Sequence, residues 1–88
     1  MANHASALKR ARQNEQRRMR NKAIRTKLRG AIKSVRQAIE AKDQDAARTA
    51  LTAAEPVIDR AASKGVLPKR TAARKISRLA KQVHALQA

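Results

Sequence analysis

The sequence contains no Cys, Trp, Tyr or Phe, so a disulfide framework, thiol chemistry and the stacking of bases on aromatic rings are excluded together. Gly and Pro occur twice each in 88 residues, too few for a chain of tight turns and hairpins, and no credible strand is present. No stretch approaches the ~20 apolar residues that span a bilayer. The basic N-terminal segment also lacks the apolar run of a signal peptide, so the expected location is the cytoplasm. Catalysis needs a nucleophile, a tuned acid or base, or a metal. His4 and His84 have no partners at metal-ligand spacing, Ser6, Ser34, Ser63 and Ser77 have no nearby base, and no Gly-rich loop could cradle a phosphate. No catalytic residue, metal or cofactor is therefore expected.

Acids are scarce as well. Six Asp and Glu stand against 22 Lys and Arg, a formal net charge of +16. Solubility of a small domain requires only roughly 2 to 8. The signs also separate along the chain. Residues 1–30 carry ten bases and only Glu15, net +9; residues 31–60 carry five bases and five acids; residues 61–88 carry seven bases and no acid. Self-repulsion of this size disfavours a compact state unless a polyanion neutralises it. A nucleic acid is the leading candidate.

Ala, Arg, Lys, Gln and Leu dominate, and all favour helix. The length allows one domain, and 17 large apolar residues joined by 20 Ala suffice for a thin helical seam rather than a thick core. The expected fold is all-α: a three-helix bundle whose long N-terminal helix extends beyond it as a basic arm. The first helix is placed from a cap at Asn3 or Ser6 to about Ala41. Ile24, Leu28, Ile32 (or Ala31), Val35 and Ile39 form its apolar stripe. Traced backwards, that register becomes Asn21, Arg17, Asn14 and Arg10, while Lys9, Arg12, Arg18 and Arg20 cover the other faces. A helix polar all round gains nothing by packing on protein, so residues 1–22 are read as an arm without structure until a partner binds, and residues 23–88 as the bundle.

Asp43 suits the N-cap of a second helix, with Asp45 near the positive end of its dipole. Its inward stripe is Ala47, Ala50, Leu51, Ala54, Val57, Ile58, Ala61 and Ala62, leaving Asp45, Glu55 and Asp59 outside. Pro56 inside this pattern reads as a kink or, alternatively, a break. Lys64 and Gly65 end the helix with a left-handed cap, Val66 and Leu67 plug the bundle end, and Pro68 opens the first turn of a third helix. That helix carries Ala72, Ile76, Leu79, Val83 and Leu86 on one side and Arg70, Arg74, Arg78 and Lys81 on the other. His84 lies near its C-terminal end, where a cation complements the dipole.

The basic residues are thus the chemistry. Each neutralised phosphate releases counterions and yields salt-dependent affinity, and the predominance of Arg over Lys suits phosphate forks and a shaped RNA. The charge-based candidates are Lys9, Arg10, Arg12, Arg17, Arg18, Arg20 and Lys22 on the arm, then Arg70, Arg74, Arg78 and Lys81. Duplex DNA is the rival, but a basic zipper-like arm needs an adjoining dimerising stripe, and Ile24 to Ile39 are required inside the bundle. Membrane binding is disfavoured because residues 1–22 lack the apolar face that enters lipid.

Met1-Ala2-Asn3, Ser6-Ala7-Leu8-Lys9-Arg10, Gln13, Ala38-Ile39-Glu40-Ala41, Ile58-Asp59-Arg60-Ala61-Ala62-Ser63-Lys64-Gly65-Val66-Leu67, Ala72-Ala73-Arg74-Lys75 and Ser77-Arg78-Leu79 resemble the bacterial small-subunit ribosomal protein twenty family across essentially the whole chain. The resemblance implies a non-enzymatic monomer within the ribosome that binds small-subunit rRNA in its 5′ domain and against its penultimate helix, with few or no protein contacts and no membrane. It implies RNA contacts at Lys9, Arg10, Gln13, Arg17, Asn21, Arg25 and Arg29, then at Lys64, Lys69, Arg74, Lys75 and Arg78. Pro68, Arg70 and Ile76 depart from the family pattern; Ile76 continues the apolar stripe and is assigned to packing.

Overall fold

The computed structural model describes residues 2–86, which form α1 (Ala2–Glu40), α2 (Gln44–Ser63) and α3 (Lys69–Ala85). No strand occurs among the described residues. α2 packs against both other helices, whereas α1 and α3 meet only along a narrow edge. The molecule measures 68 × 21 × 14 Å, because α1 continues far past the helices it packs on.

The apolar stripes pack as their spacing requires. Leu28 and Val35 of α1, Ala47, Ala54, Ile58 and Ala61 of α2, and Ala72, Leu79 and Val83 of α3 are buried. Ile24, Ala31, Ile32, Ile39, Leu67, Ile76 and Leu86 close over them. Ala47, Ala54 and Ala61 recur every seventh residue and are fully buried. Small residues at that period let α1 come close, and the larger Leu28 and Val35 fill the space between the backbones. Glu55 departs from expectation: it is half-buried rather than outside, since it shares a side of α2 with Leu51, Ile58 and Ala62. Val66 is half-buried, but only Leu67 of the expected plug packs on the core.

Both interhelical links are closed by the same hydrogen-bond pattern. After α1, the N–H of Asp43 donates to the carbonyl of Ala38 and that of Lys42 to Ile39. After α2, the N–H of Val66 donates to Ala61 and that of Gly65 to Ala62. Each is a Schellman closure, which needs one residue in the left-handed region. Gly65 meets this freely at φ 76°, whereas Lys42 adopts φ 55° with a side chain present. Asp43 then caps α2, its Oδ1 accepting from the Ala46 N–H at 3.1 Å.

Further expectations are corrected. α1 starts at Ala2, ahead of both expected caps. Its arm is helical: a helix nucleated in the bundle propagates through strong helix formers at one bond per residue. α2 runs unbroken through Pro56, which removes the alternative of a break; the residue removes one backbone donor and stands exposed. Pro68 is the N-cap of α3 rather than its first-turn residue, with ψ 142° and its carbonyl accepting from Ala72 at 3.0 Å.

The two left-handed positions make opposite predictions. Gly65→Ala lowers stability by about 1–2 kcal/mol, because Ala resists positive φ. Lys42→Gly raises it by roughly 0.5–1 kcal/mol by relieving the same conflict. Urea denaturation followed by circular dichroism measures both.

Candidate nucleic-acid interface

Every side chain from His4 to Arg20 is exposed, so the arm spends none of its bases on contacts with the bundle. Lys9, Arg10, Arg12, Gln13, Arg17, Arg18, Arg20, Lys22, Arg25 and Arg29 all lie open on α1. At 1.5 Å per residue the free part of the arm projects by about 30 Å. Gln13, Gln16, Arg17 and Arg20 line one shallow depression on it. The one ion pair among the described residues is Arg18 to Glu15, at 2.9 Å. With side-chain exposures of 78% and 54%, it contributes little and yields readily to a phosphate.

On α3, Arg70, Arg74, Arg78 and Lys81 are exposed on the side away from Leu79 and Val83. Lys64 is exposed at the C-cap of α2. Lys69 stands apart from the Arg row, lining the α2–α3 groove with Asp59 and Ser63. Lys75 is half-buried and turns toward α1, where it shares a groove with Arg29, Ile32, Lys33, Arg36 and Glu40. Lys33 and Arg36 are absent from the sequence-derived candidates, since they fall in the charge-neutral third. Their spacing from Arg29, four and seven residues on, was the available signal.

The opposite edge of α1 differs in sign. There Ala31 and Ser34 face Asp43, Asp45 and Thr49 of the α1–α2 side, with no base among the lining residues. Among the described residues, no cluster of three or more His, Asp or Glu is placed to hold a metal, and no helix is long and apolar enough to cross a membrane.

A helical clamp with a projecting basic arm and a basic row on its third helix agrees with what the chain is similar to. The model of a family described as ribosomal protein S20 matches residues 2–84. The chain belongs to the ribosomal protein S20 family. It is 57% identical over 86 residues to the small ribosomal subunit protein bS20 of Desulfatibacillum aliphaticivorans, covering 98% of both chains. The corresponding protein of Geobacter sulfurreducens is 58% identical, with 98% of this chain and 99% of that one covered. That of Syntrophobacter fumaroxidans is 52% identical over 98% of this chain and all of its own. The family match spans the arm, the hairpin and nearly all of α3, so it extends over every candidate residue.

Asn21 occupies the junction of arm and bundle. It is half-buried, and its Oδ1 is sealed from solvent with no hydrogen-bond partner in the chain. An unsatisfied buried acceptor costs about 1–3 kcal/mol. Asn21→Leu, which extends the apolar stripe by one position, is expected to raise the stability of the free protein by about 1 kcal/mol, read as a higher melting temperature. An unchanged or lowered value would show the amide to be satisfied in solution.

Proposed function

We propose that the chain binds small-subunit rRNA directly through its basic arm and the outer row of α3, neutralising and bridging RNA segments as the small subunit assembles. As a member of a ribosomal protein family its role is structural, and its place is the small subunit of the cytoplasmic ribosome. The observation that carries the proposal is the uncompensated charge. A body 68 Å long bears a net +16 and, among its described residues, a single exposed ion pair. Condensed phosphates are the partner that relieves this most.

The contacts follow from placement. Lys9, Arg10, Arg12, Gln13, Arg17, Arg18, Arg20, Asn21, Lys22, Arg25 and Arg29 track one RNA segment along α1. Lys64, Arg70, Arg74, Arg78 and Lys81 meet another at the far side of the bundle, with Lys69 in the α2–α3 groove and Lys75 facing α1 adding contacts between the two. The 5′ domain and the penultimate helix of the rRNA are the segments assigned to these surfaces. Residues 1–22 act as the arm and 23–88 as the bundle of one RNA-binding domain, which works as a monomer with few or no protein contacts. The bundle docks first by electrostatic steering. The arm then arrives as a helix already formed, so less ordering entropy opposes its docking than for an unfolded segment.

Replacing Arg10 and Arg17 together by Ala tests this reading. Each lost phosphate contact lowers the slope of log affinity against log salt by about 0.7 to 0.9, so the double variant binds rRNA more weakly with a slope reduced by about 1.4 to 1.8. Melting of the free protein stays unchanged, because neither side chain packs on the bundle. Filter binding over a salt series and a thermal melt provide the two readouts. A duplex-DNA affinity equal to or above that for structured RNA at the same salt would instead favour a DNA-binding role.

A further inference from the structure

We infer that two copies of the free chain pair through the outer face of the arm, antiparallel and related by a two-fold axis, with Leu8 of one copy against Met19 of the other and Glu15 against Arg12. The inference concerns the chain before it meets RNA. It does not rest on the proposed RNA-binding role, in which the chain works as a monomer.

The arm is not uniform around its axis. Among the described residues the exposed large hydrophobic side chains are Leu8, at 51%, and Met19, at 63%. Their separation in sequence is close to a whole number of helical turns, so both lie on one face of α1, about 16 Å apart. Glu15, the only acid of residues 1–30, lies between them on that face, and with Ala23 and Thr26 it borders the shallow hollow that Met19 lines. The buried Leu28 and Val35 mark the opposite side of the helix, so this face looks away from the bundle. Arg10 and Arg17 continue the register of Leu28 and Val35 and stay outside the pair.

A second copy is the occupant that these residues specify. A polyanion gains least on the one face of the arm that carries an acid, and the chain's own bundle cannot cover it, because α1 is continuous from Ala2 to Glu40. The antiparallel register that sets Leu8 opposite Met19 is symmetric about the midpoint between Gln13 and Asn14, and the same symmetry sets Glu15 opposite Arg12. Each contact therefore forms twice, as an isologous interface requires. Within one chain Arg12 makes no ion pair, and Glu15 holds Arg18 in an exposed bond that yields readily. The two bundles lie at opposite ends of the pair, far from each other. Repulsion between the arms is screened over about 8 Å at physiological salt, whereas apolar contact is not. Pairing thus strengthens as salt rises, opposite in sign to RNA binding. The contact is narrow, so its dissociation constant is on the order of 10–100 μM.

The test uses the full chain without RNA. Sedimentation velocity is expected to show concentration-dependent dimers that are weaker at about 0.1 M salt than at about 0.5 M. Arg12→Glu lowers the net charge, yet it weakens the dimer about tenfold by setting acid against acid, and adding Glu15→Arg restores it. A mere relief of repulsion predicts stronger association for that single variant. The chain has no Cys, so disulfide trapping reads the register directly. Leu8→Cys with Met19→Cys is expected to give covalent dimers, since the two positions are too far apart on one helix to bridge within a chain. Arg10→Cys with Arg17→Cys, which has the same symmetry on the opposite side of α1, is the control and stays monomeric. A monomer at about 200 μM at both salt concentrations, stronger association of Arg12→Glu, or equal trapping in the two Cys variants overturns the pair. RNA enters none of these measurements, so a negative result here leaves the RNA-binding reading to its own salt slopes.

Discussion

Repulsion among like charges is the constraint from which the rest of the structure follows. A net charge of +16 is spread over a body only 21 by 14 Å in cross-section, and among the described residues the five acids of residues 31–60 form no ion pairs with the bases. Extending α1 past the bundle places a large share of the charge on a rod, where neighbouring turns are solvated on all sides. A globular arrangement of the same residues would force those cations together in a poorer dielectric. The elongated shape is therefore an electrostatic solution as much as a means of reaching distant partners.

The core that opposes this repulsion is thin. Among the described residues only nine hydrophobic side chains are buried, four of them Ala. Close backbone approach compensates for small side chains: the seven-residue recurrence of Ala47, Ala54 and Ala61 lets α1 and α2 seat tightly, with Val35 and Ile58 supplying the largest fully buried volumes. Hairpin closure adds to it through backbone bonds rather than apolar area, with both helix C-termini satisfying their carbonyls in the same way. A bundle built like this has little stability to spare.

The two sides of α1 show how packing converts a neutral stretch of sequence into a polar surface. Residues 31–60 carry equal numbers of acids and bases, yet Asp43 and Asp45 border one groove while Lys33 and Arg36 border the other. The resulting asymmetry gives an approaching polyanion a preferred orientation, because it favours one edge and penalises its opposite. This asymmetry arises without any aromatic residue.

By itself the sequence determined the elements and the class of partner. Helix propensity, the periods of Ile24 to Ile39 and of Ala72 to Leu86, the cap at Asp43 and the left-handed stop at Gly65 are local properties, legible one turn at a time, and net charge requires no coordinates. Continuity was less legible. Whether the arm is helical, and whether α2 survives Pro56, depends on propagation from packed neighbours, which no local window contains. Tertiary structure alone decided which charges share a surface. Lys75 meets Arg29, Lys33 and Arg36, Lys69 turns instead toward Asp59, and Glu55 is drawn half inside, because the rotation of each helix about its axis is set by how its side chains interdigitate with two neighbours.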